Sequence, residues 1–325
     1  MSANAEFASS RLQKTSFVGR DREVAEITEL LGTRRLVTLV GSGGIGKTRT
    51  SLQVAANLLD GSGNGVWLIE LGPLANGKYI PAAIAQALGL SLPPEGDALA
   101  HLVTRIKSWH ALLVFDNCEH LIDASATSIA ALLRGCPKVS VLASSRQGIG
   151  VAGEATYRLP SLAVGDAVTD GLSATEAVAA PAVALFVQRA ISTDYHFTLT
   201  DENASTVVEI CRRLDGIPLA IELAAAQVKM LSPRQLRERL DERFRMLTGG
   251  SCCSAARTGP KNASDPNMPN AAPFITRLRI MALVVEFSQI QNQSEICNRQ
   301  WRQVCRAVAF KNAQAVSTHV LGRSR

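Results

Sequence analysis

Apolar and polar positions along the first 250 residues follow two periods in turn. Short runs rich in β-branched residues read as strands: LVTLV (Leu36–Val40), VWLIEL (Val66–Leu71), ALLVFDNCEH (Ala111–His120), VSVLASSR (Val139–Arg146) and TYRLPSL, closed by Pro160. Between them the period is helical. SFVGRDREVAEITELLG puts Val24, Ile27, Leu30 and Leu31 on one face. TSLQVAANLL, YIPAAIAQALGL, DALAHLVTRIKSW and Asp123–Arg134 have helical length and composition, with LPPEG as a breaker before the third. Strands alternating with helices predict an α/β fold, a parallel sheet flanked by helices. The nearly unbroken apolar run of Ala111–His120 fits a parallel strand covered on both faces.

Beyond a stretch of small residues from Ala163 to Pro181, read as a linker, only the helical period remains. It covers AVALFVQRAI, DENASTVVEICRRL with an Asp cap, IPLAIELAAAQVKML with Pro218 in its first turn, and SPRQLRERLDERFRML. The charges of the last lie at i, i+4 and read as a solvated face. The expected organisation is a mobile leader over 1–15, an α/β domain over 16–162, a linker over 163–181, a small all-helical domain over 182–248, and a tail of low order over 249–325. The tail opens with CCSAARTGPKNASDPNMPNAAPF, which has no helical period and many Pro, Asn and Ser residues. Its run RLRIMALVVEF has the pattern of an amphipathic helix or strand, expected to be disordered or sticky without a partner domain.

The stretch GSGGIGKT, Gly41 to Thr48, joins the first strand to the helix after it. Strand, glycine-rich turn and helix are the context in which a GxxxxGKT motif binds phosphate. Gly41, Gly43, Gly44 and Gly46 let the backbone turn tightly and bring N–H groups to the phosphates. The helix N-terminus adds partial positive charge. Lys47 is placed to reach the β- and γ-phosphates, and Thr48 to put its hydroxyl on Mg²⁺. The expected ligand is a nucleoside triphosphate or its diphosphate product. Asp116 ends an apolar strand downstream of the loop, the Walker B pattern, in which the carboxylate holds Mg²⁺. Ser144, Ser145 and Arg146 end another strand. Such ends line the nucleotide crevice, and a cation there can sense the γ-phosphate.

Composition narrows the class. The chain has 325 residues, 46% of them hydrophobic and 19% charged, enough for two or three domains. No apolar run approaches the roughly 20 residues of a membrane span, and the start lacks the apolar core of a signal peptide. The seven cysteines form no CxxC pair and the five histidines no ligand cluster, so reduced thiols and a cytoplasmic location are expected. The net charge of +6 invites a nucleic-acid reading. Residues 251–325, however, hold 10 of the basic and 3 of the acidic side chains, leaving 24 basic and 25 acidic in the rest. The excess belongs to the tail, and no direct nucleic-acid binding is expected of residues 1–250.

Over residues 16–250 the chain resembles the nucleotide-binding core of the STAND class of P-loop NTPases. The bacterial predicted-ATPase branch of LuxR- and SARP-type regulators, related to NB-ARC modules, is the nearest likeness. The pieces that carry it are SFVGRDREVAEI, LVTLVGSGGIGKTR, VWLIELGPL, LLVFDNCEHL, VLASSR, ICRRLDGIPLAIELAAA and LSPRQLRERLDERFRMLTGG. The resemblance implies that Val18, Gly19 and Arg20 lie against the adenine side, and that the loop from Gly41 through Ser42, Ile45 and Lys47 to Arg49 holds the phosphates. Asp116 would be the Walker B acid and Arg146 the sensor-1 residue. Gly216, Ile217, Pro218 and Leu219 would match the GLPL-type motif over base and ribose. The sensor strand would lie between the phosphate-loop strand and the Asp116 strand. ATP/ADP exchange with Mg²⁺ would drive an open–closed switch whose output lies in other domains, with self-association expected in the ATP state.

Two departures qualify these expectations. Asn117 stands where many of the wider class carry a second acid, and an amide orients water but cannot take its proton. Glu119 is the candidate substitute, and hydrolysis is expected to be slow or absent. After LTGGS the likeness stops, where related proteins continue into a winged-helix segment and sensor repeats. Residues 251–325 are therefore expected to stem from a frameshift or gene truncation, testable by translating the other frames after Gly250. Competing readings are an AAA+-like ATPase with steady turnover, a DNA-binding regulator in its own right, and a degenerate nucleotide-binding fragment without output. No helix-turn-helix can be placed in residues 1–250, and Asn117 weighs against the motor.

Overall fold

The apolar runs form five parallel strands, β1 (Leu36–Val40), β2 (Val66–Glu70), β3 (Leu112–Asp116), β4 (Ser140–Ser145) and β5 (Glu154–Arg158), in the order β2-β3-β4-β1-β5. The structure is a computed structural model of the chain and describes residues 16–248, apart from 60 and 166–171. The helices are α1 (Asp21–Thr33), α2 (Lys47–Asn57), α3 (Ile80–Leu88), α4 (Ala98–Ile106), α5 (Ile122–Gly135), α6 (Ala174–Val178), α7 (Pro181–Thr193), α8 (Asp201–Arg213), α9 (Pro218–Ala225) and α10 (Pro233–Thr248). The described residues divide into two units. One comprises 16–165, 178–185 and 215–219; the other comprises 172–177, 186–214 and 220–248.

In the first unit both faces of the sheet are covered, which is why β1 and β3 are almost continuously apolar. Leu36, Ile69, Leu113, Phe115, Val141 and Ala143 pack with the buried residues of α3, α4 and α5. Their strand neighbours Val37, Leu39, Val66, Leu112, Val114 and Leu142 pack with Val24 and Ile27 of α1 and with Val54 and Ala55 of α2. Successive side chains of a strand point to opposite faces, so one run of hydrophobics feeds two cores. Val24 and Ile27 are buried as the periodicity predicts, with Leu30 and Leu31 packed partly buried beside them.

Polar side chains close the helix ends. Asp97 caps α4, accepting from the N–H groups of Leu99 (2.9 Å) and Ala100 (3.2 Å). Arg35 serves the C-terminal end of α5, its Nη2 donating to the carbonyls of Leu133 (2.8 Å) and Cys136 (2.7 Å). On the other side of the sheet the Tyr157 hydroxyl donates to Glu26 Oε2 at 2.6 Å and ties β5 to α1.

The second unit is helical. Phe186 and Phe197 meet edge to face, with ring centroids 6.1 Å apart. Three sequence expectations change here. Thr200, not Asp201, caps α8; its N–H donates to Asn203 Oδ1 (3.0 Å), while Asp201 accepts from the N–H of Ala174 (2.7 Å). The helix opening at Pro218 ends at Ala225 rather than running on to Leu231, because the next bonds tighten to i, i−3 at Gln227 and Val228. The described charges of α10 face solvent as expected: Arg234 and Glu238 form an exposed i, i+4 pair at 3.2 Å, and the partly exposed Asp241 also pairs with Arg213 of α8. The stretch read as a linker contains α6 and the first residue of α7. The expectations for the leader and the tail fall outside the described residues.

Candidate nucleotide site

Three strand ends come together at the carboxyl edge of the sheet. Register pairs Val40 of β1 with Ser145 of β4 and Phe115 of β3 with Ala143 of β4. β4 therefore lies between the glycine-loop strand and the Asp116 strand, as the resemblance implies. From Val40 the chain turns through Gly41–Gly46 into α2. Gly44 (φ +78°) and Gly46 (φ +97°) take the left-handed conformations that only glycine adopts without strain. Ile45, 4% exposed, anchors the loop in the core. Gly43 is exposed, and a Cβ there would meet nothing within 4 Å. The loop leads straight into the N-terminus of α2, whose first N–H groups have no intrahelical acceptor.

The Lys47 Nζ donates to the carbonyls of Gly41 (3.0 Å) and Ser42 (3.1 Å), folded over its own loop. Burial lowers its pKa; Glu119 and Asp116 oppose that shift and Arg146 adds to it. The neighbouring Thr48 hydroxyl donates to Asp116 Oδ1 at 2.8 Å. Two hard oxygen donors this close are the chemistry Mg²⁺ takes when phosphates supply further ligands. The described residues contain no cluster of three or more His, Cys, Asp or Glu able to hold a metal by itself.

Ser144 has a part that its sequence signal, a polar residue ending an apolar strand, did not define. Its hydroxyl donates to the same Asp116 Oδ1 at 2.5 Å and accepts from the N–H of Asn117 at 2.9 Å. The carboxylate is thereby fixed from β4. A Ser144→Ala change is expected to weaken the Mg²⁺ dependence of nucleotide binding by about tenfold, as loss of a group orienting a metal ligand does. Ser144→Thr should restore most of it. A Mg²⁺ titration of nucleotide affinity is the check, and an unchanged midpoint in the alanine variant removes Ser144 from this role.

One residue past β4, Arg146 Nε lies 3.1 Å from Glu119 Oε1, with side chains 55% and 18% exposed respectively. Asn117 takes a left-handed turn (φ 65°, ψ 52°), which asparagine tolerates better than most residues. In the orientation that satisfies its partners, its amide nitrogen donates to Glu119 Oε1 (3.1 Å) and Oε2 (3.3 Å).

Of the remaining residues of the expected set, Arg20, Pro218 and Leu219 touch the loop. Arg20 is 3% exposed, and its Nη2 donates to the carbonyls of Ile45 (2.8 Å) and Pro160 (2.9 Å). Burial lowers its pKa. Gly19 (φ +66°) passes against Pro181, and Val18 beside it is half-buried. Arg49 Nη2 donates to the Ser16 carbonyl at 2.9 Å. Of the segment Gly216–Leu219, Ile217 is 5% exposed. The Leu219 N–H donates to the Gly44 carbonyl at 3.2 Å, and a Cβ on Gly44 would lie 2.8 Å from the Leu219 Cβ. Pro218 stands beside Gly46, 3.9 Å from where a Cβ would be. The described cysteines, Cys118, Cys136 and Cys211, are buried thiols. Burial pushes Cys118 and Cys211 up to about 12, which leaves them unreactive. Cys252, Cys253, Cys297 and Cys305 lie outside the described residues. Among those described, no helix is long and apolar enough to cross a membrane.

Sheet order, the glycine turn between β1 and α2, and the meeting of Lys47, Thr48 and Asp116 define the fold of the P-loop NTPases. No family model matches the chain. It is 41% identical over 243 residues to "Uncharacterized protein Rv0894" of Mycobacterium tuberculosis (strain ATCC 25618 / H37Rv), covering 75% of this chain and 58% of that one. It is 43% identical over 223 residues to "Putative HTH-type transcriptional regulator Rv0890c" of the same organism, covering 68% of this chain and 23% of that one. The chain thus spans under two thirds of the length of these relatives. Among solved structures it is similar to a Signal Transduction ATPase with Numerous Domains (STAND) protein with a tetratricopeptide repeat sensor from Pyrococcus horikoshii. That match has 15% identity and a TM-score of 0.44, covering 86% of this chain and 46% of that one.

Proposed function

We propose that this chain is an ATP/ADP-binding module of a STAND-type regulator, a switch that splits ATP slowly or not at all. The observation that carries the reading is the convergence of Lys47, Thr48, Asp116 and Arg146 on one sheet edge, with Thr48 and Asp116 in contact at 2.8 Å. Phosphates would rest on the N–H groups of the loop and on Lys47. Mg²⁺, when bound, neutralises phosphate charge; Thr48 and Asp116 would hold it. The packing of Pro218 and Leu219 on the loop glycines supports the GLPL-like role of that segment. The likeness to a chain named "Putative HTH-type transcriptional regulator Rv0890c" supports transcriptional control as the output.

Slow turnover follows from Asn117, which leaves no carboxylate next to Asp116 in the chain. The test is to release bound ligand by heat from the purified protein, identify it by chromatography, and measure phosphate production with added ATP. The expected result is bound ADP or ATP and turnover well below roughly 1 s⁻¹, the lower end of ordinary enzymes. An empty protein that takes up neither nucleotide sinks the reading. Turnover above that level favours the AAA+-like alternative.

A further inference from the structure

We propose that Glu119 sets the preference of the site between di- and triphosphate, by holding Arg146 until a third phosphate competes for it. The inference rests on the nucleotide reading above and adds a residue that governs which nucleotide is favoured.

The two partners are held unequally. Glu119 follows the left-handed turn at Asn117 and accepts from the Asn117 amide, and its side chain is only 18% exposed. Arg146 is 55% exposed on a long side chain just past the end of β4. Glu119 is therefore the fixed member and Arg146 the one free to move. An ion pair with one partner this exposed is weak and is readily exchanged. A γ-phosphate offers more negative charge and three acceptor oxygens in one place, a stronger partner for a guanidinium than a single carboxylate. A diphosphate lacks that group and leaves the pair undisturbed.

Position supports the exchange. β4 runs between β1, which leads into the glycine loop, and β3, which ends in Asp116, so Arg146 emerges beside the phosphate end of the site. Both Glu119 and Arg146 act electrostatically on Lys47. Once Arg146 has moved, Glu119 keeps its bonds to Asn117 and stays at the site as an open carboxylate.

The experiment compares the ratio of ADP to non-hydrolysable ATP-analogue dissociation constants, with Mg²⁺, in the parent, E119Q, R146A and the double variant. E119Q alone should shift the ratio toward the triphosphate by about fivefold, the order expected for a partly exposed pair. R146A should shift it toward ADP. In the R146A background E119Q should change the ratio little, because its effect runs through the arginine. An equal E119Q shift in both backgrounds would show simple charge repulsion and overturn the proposal, as would no shift at all. E119A is the second variant, since glutamine can still accept from Arg146. Thermal midpoints within a few degrees of the parent establish that each variant folds. A parent that binds neither nucleotide defeats the site reading itself; a parent that binds both with an unshifted ratio defeats only this inference.

Discussion

Lys47→Ala is expected to lose nearly all bound nucleotide while remaining folded. In the structure the Lys47 ammonium lies over the glycine loop, donating to the carbonyls of Gly41 and Ser42. When phosphates arrive, the ammonium is in place to exchange those neutral acceptors for charged ones, which bind it more strongly. Truncating one partner of such a desolvated, charge-assisted contact costs about 2–4 kcal/mol, on the order of 30- to 1,000-fold in Kd. The alanine variant frees two carbonyls at a partly exposed loop, so its stability should fall by no more than ~1 kcal/mol. Calorimetric titration with ADP and with an ATP analogue separates the two effects from thermal unfolding without ligand. Wild-type affinity in a folded Lys47→Ala would remove the glycine loop from the function.

Gly216→Ala should be among the most destabilising single changes outside the apolar core. Gly216 has φ +63°, and a Cβ there would drive into the backbone carbonyl oxygen of Leu162. That backbone cannot swing away, because the Leu162 N–H donates to the Gly216 carbonyl at 2.9 Å. The alanine must therefore bear both the left-handed penalty, about 1–2 kcal/mol, and the displacement of a neighbouring strand of chain. A total of about 3–4 kcal/mol is expected. Gly89 supplies the control: its φ is +66°, but a Cβ there meets nothing within 4 Å. Gly89→Ala should cost only the conformational part, about 1–2 kcal/mol. Denaturant unfolding of the two variants tests the difference, and equal losses would mean that contact with Leu162 does not matter. The segment Gly216–Leu219 reaches the loop through Leu219 and Gly44, so Gly216→Ala should also weaken nucleotide binding.

Much of this was legible in the chain itself. The strands, the glycine turn and the residues Lys47, Thr48 and Asp116 could be read because each depends on local rules: apolar runs with β-branched residues, glycines where φ is positive, and an acid ending a buried strand. The helical face of Val24 and Ile27 was equally plain, being a matter of period. Where local signals compete, the reading slipped. Asp201 looked like a cap, but Thr200 sits at the turn and Asp201 serves Ala174 across the chain. The sequence beyond Ala225, AQVKML, continued the helical pattern, and no residue in it marked where the bonds would tighten.

The candidate residues, a glycine loop with its lysine and threonine and an acid ending an apolar strand, were thus legible in the sequence alone, because each rests on residue types within a short stretch. The tertiary structure alone decided who meets whom over long separations. It put Ser144 on the carboxylate of Asp116, Glu119 on Arg146, Arg20 on the carbonyls of Ile45 and Pro160, and Leu219 against Gly44. These contacts follow from the order of strands in the sheet and from how loops return to one edge, and neither is written in any short stretch of the chain.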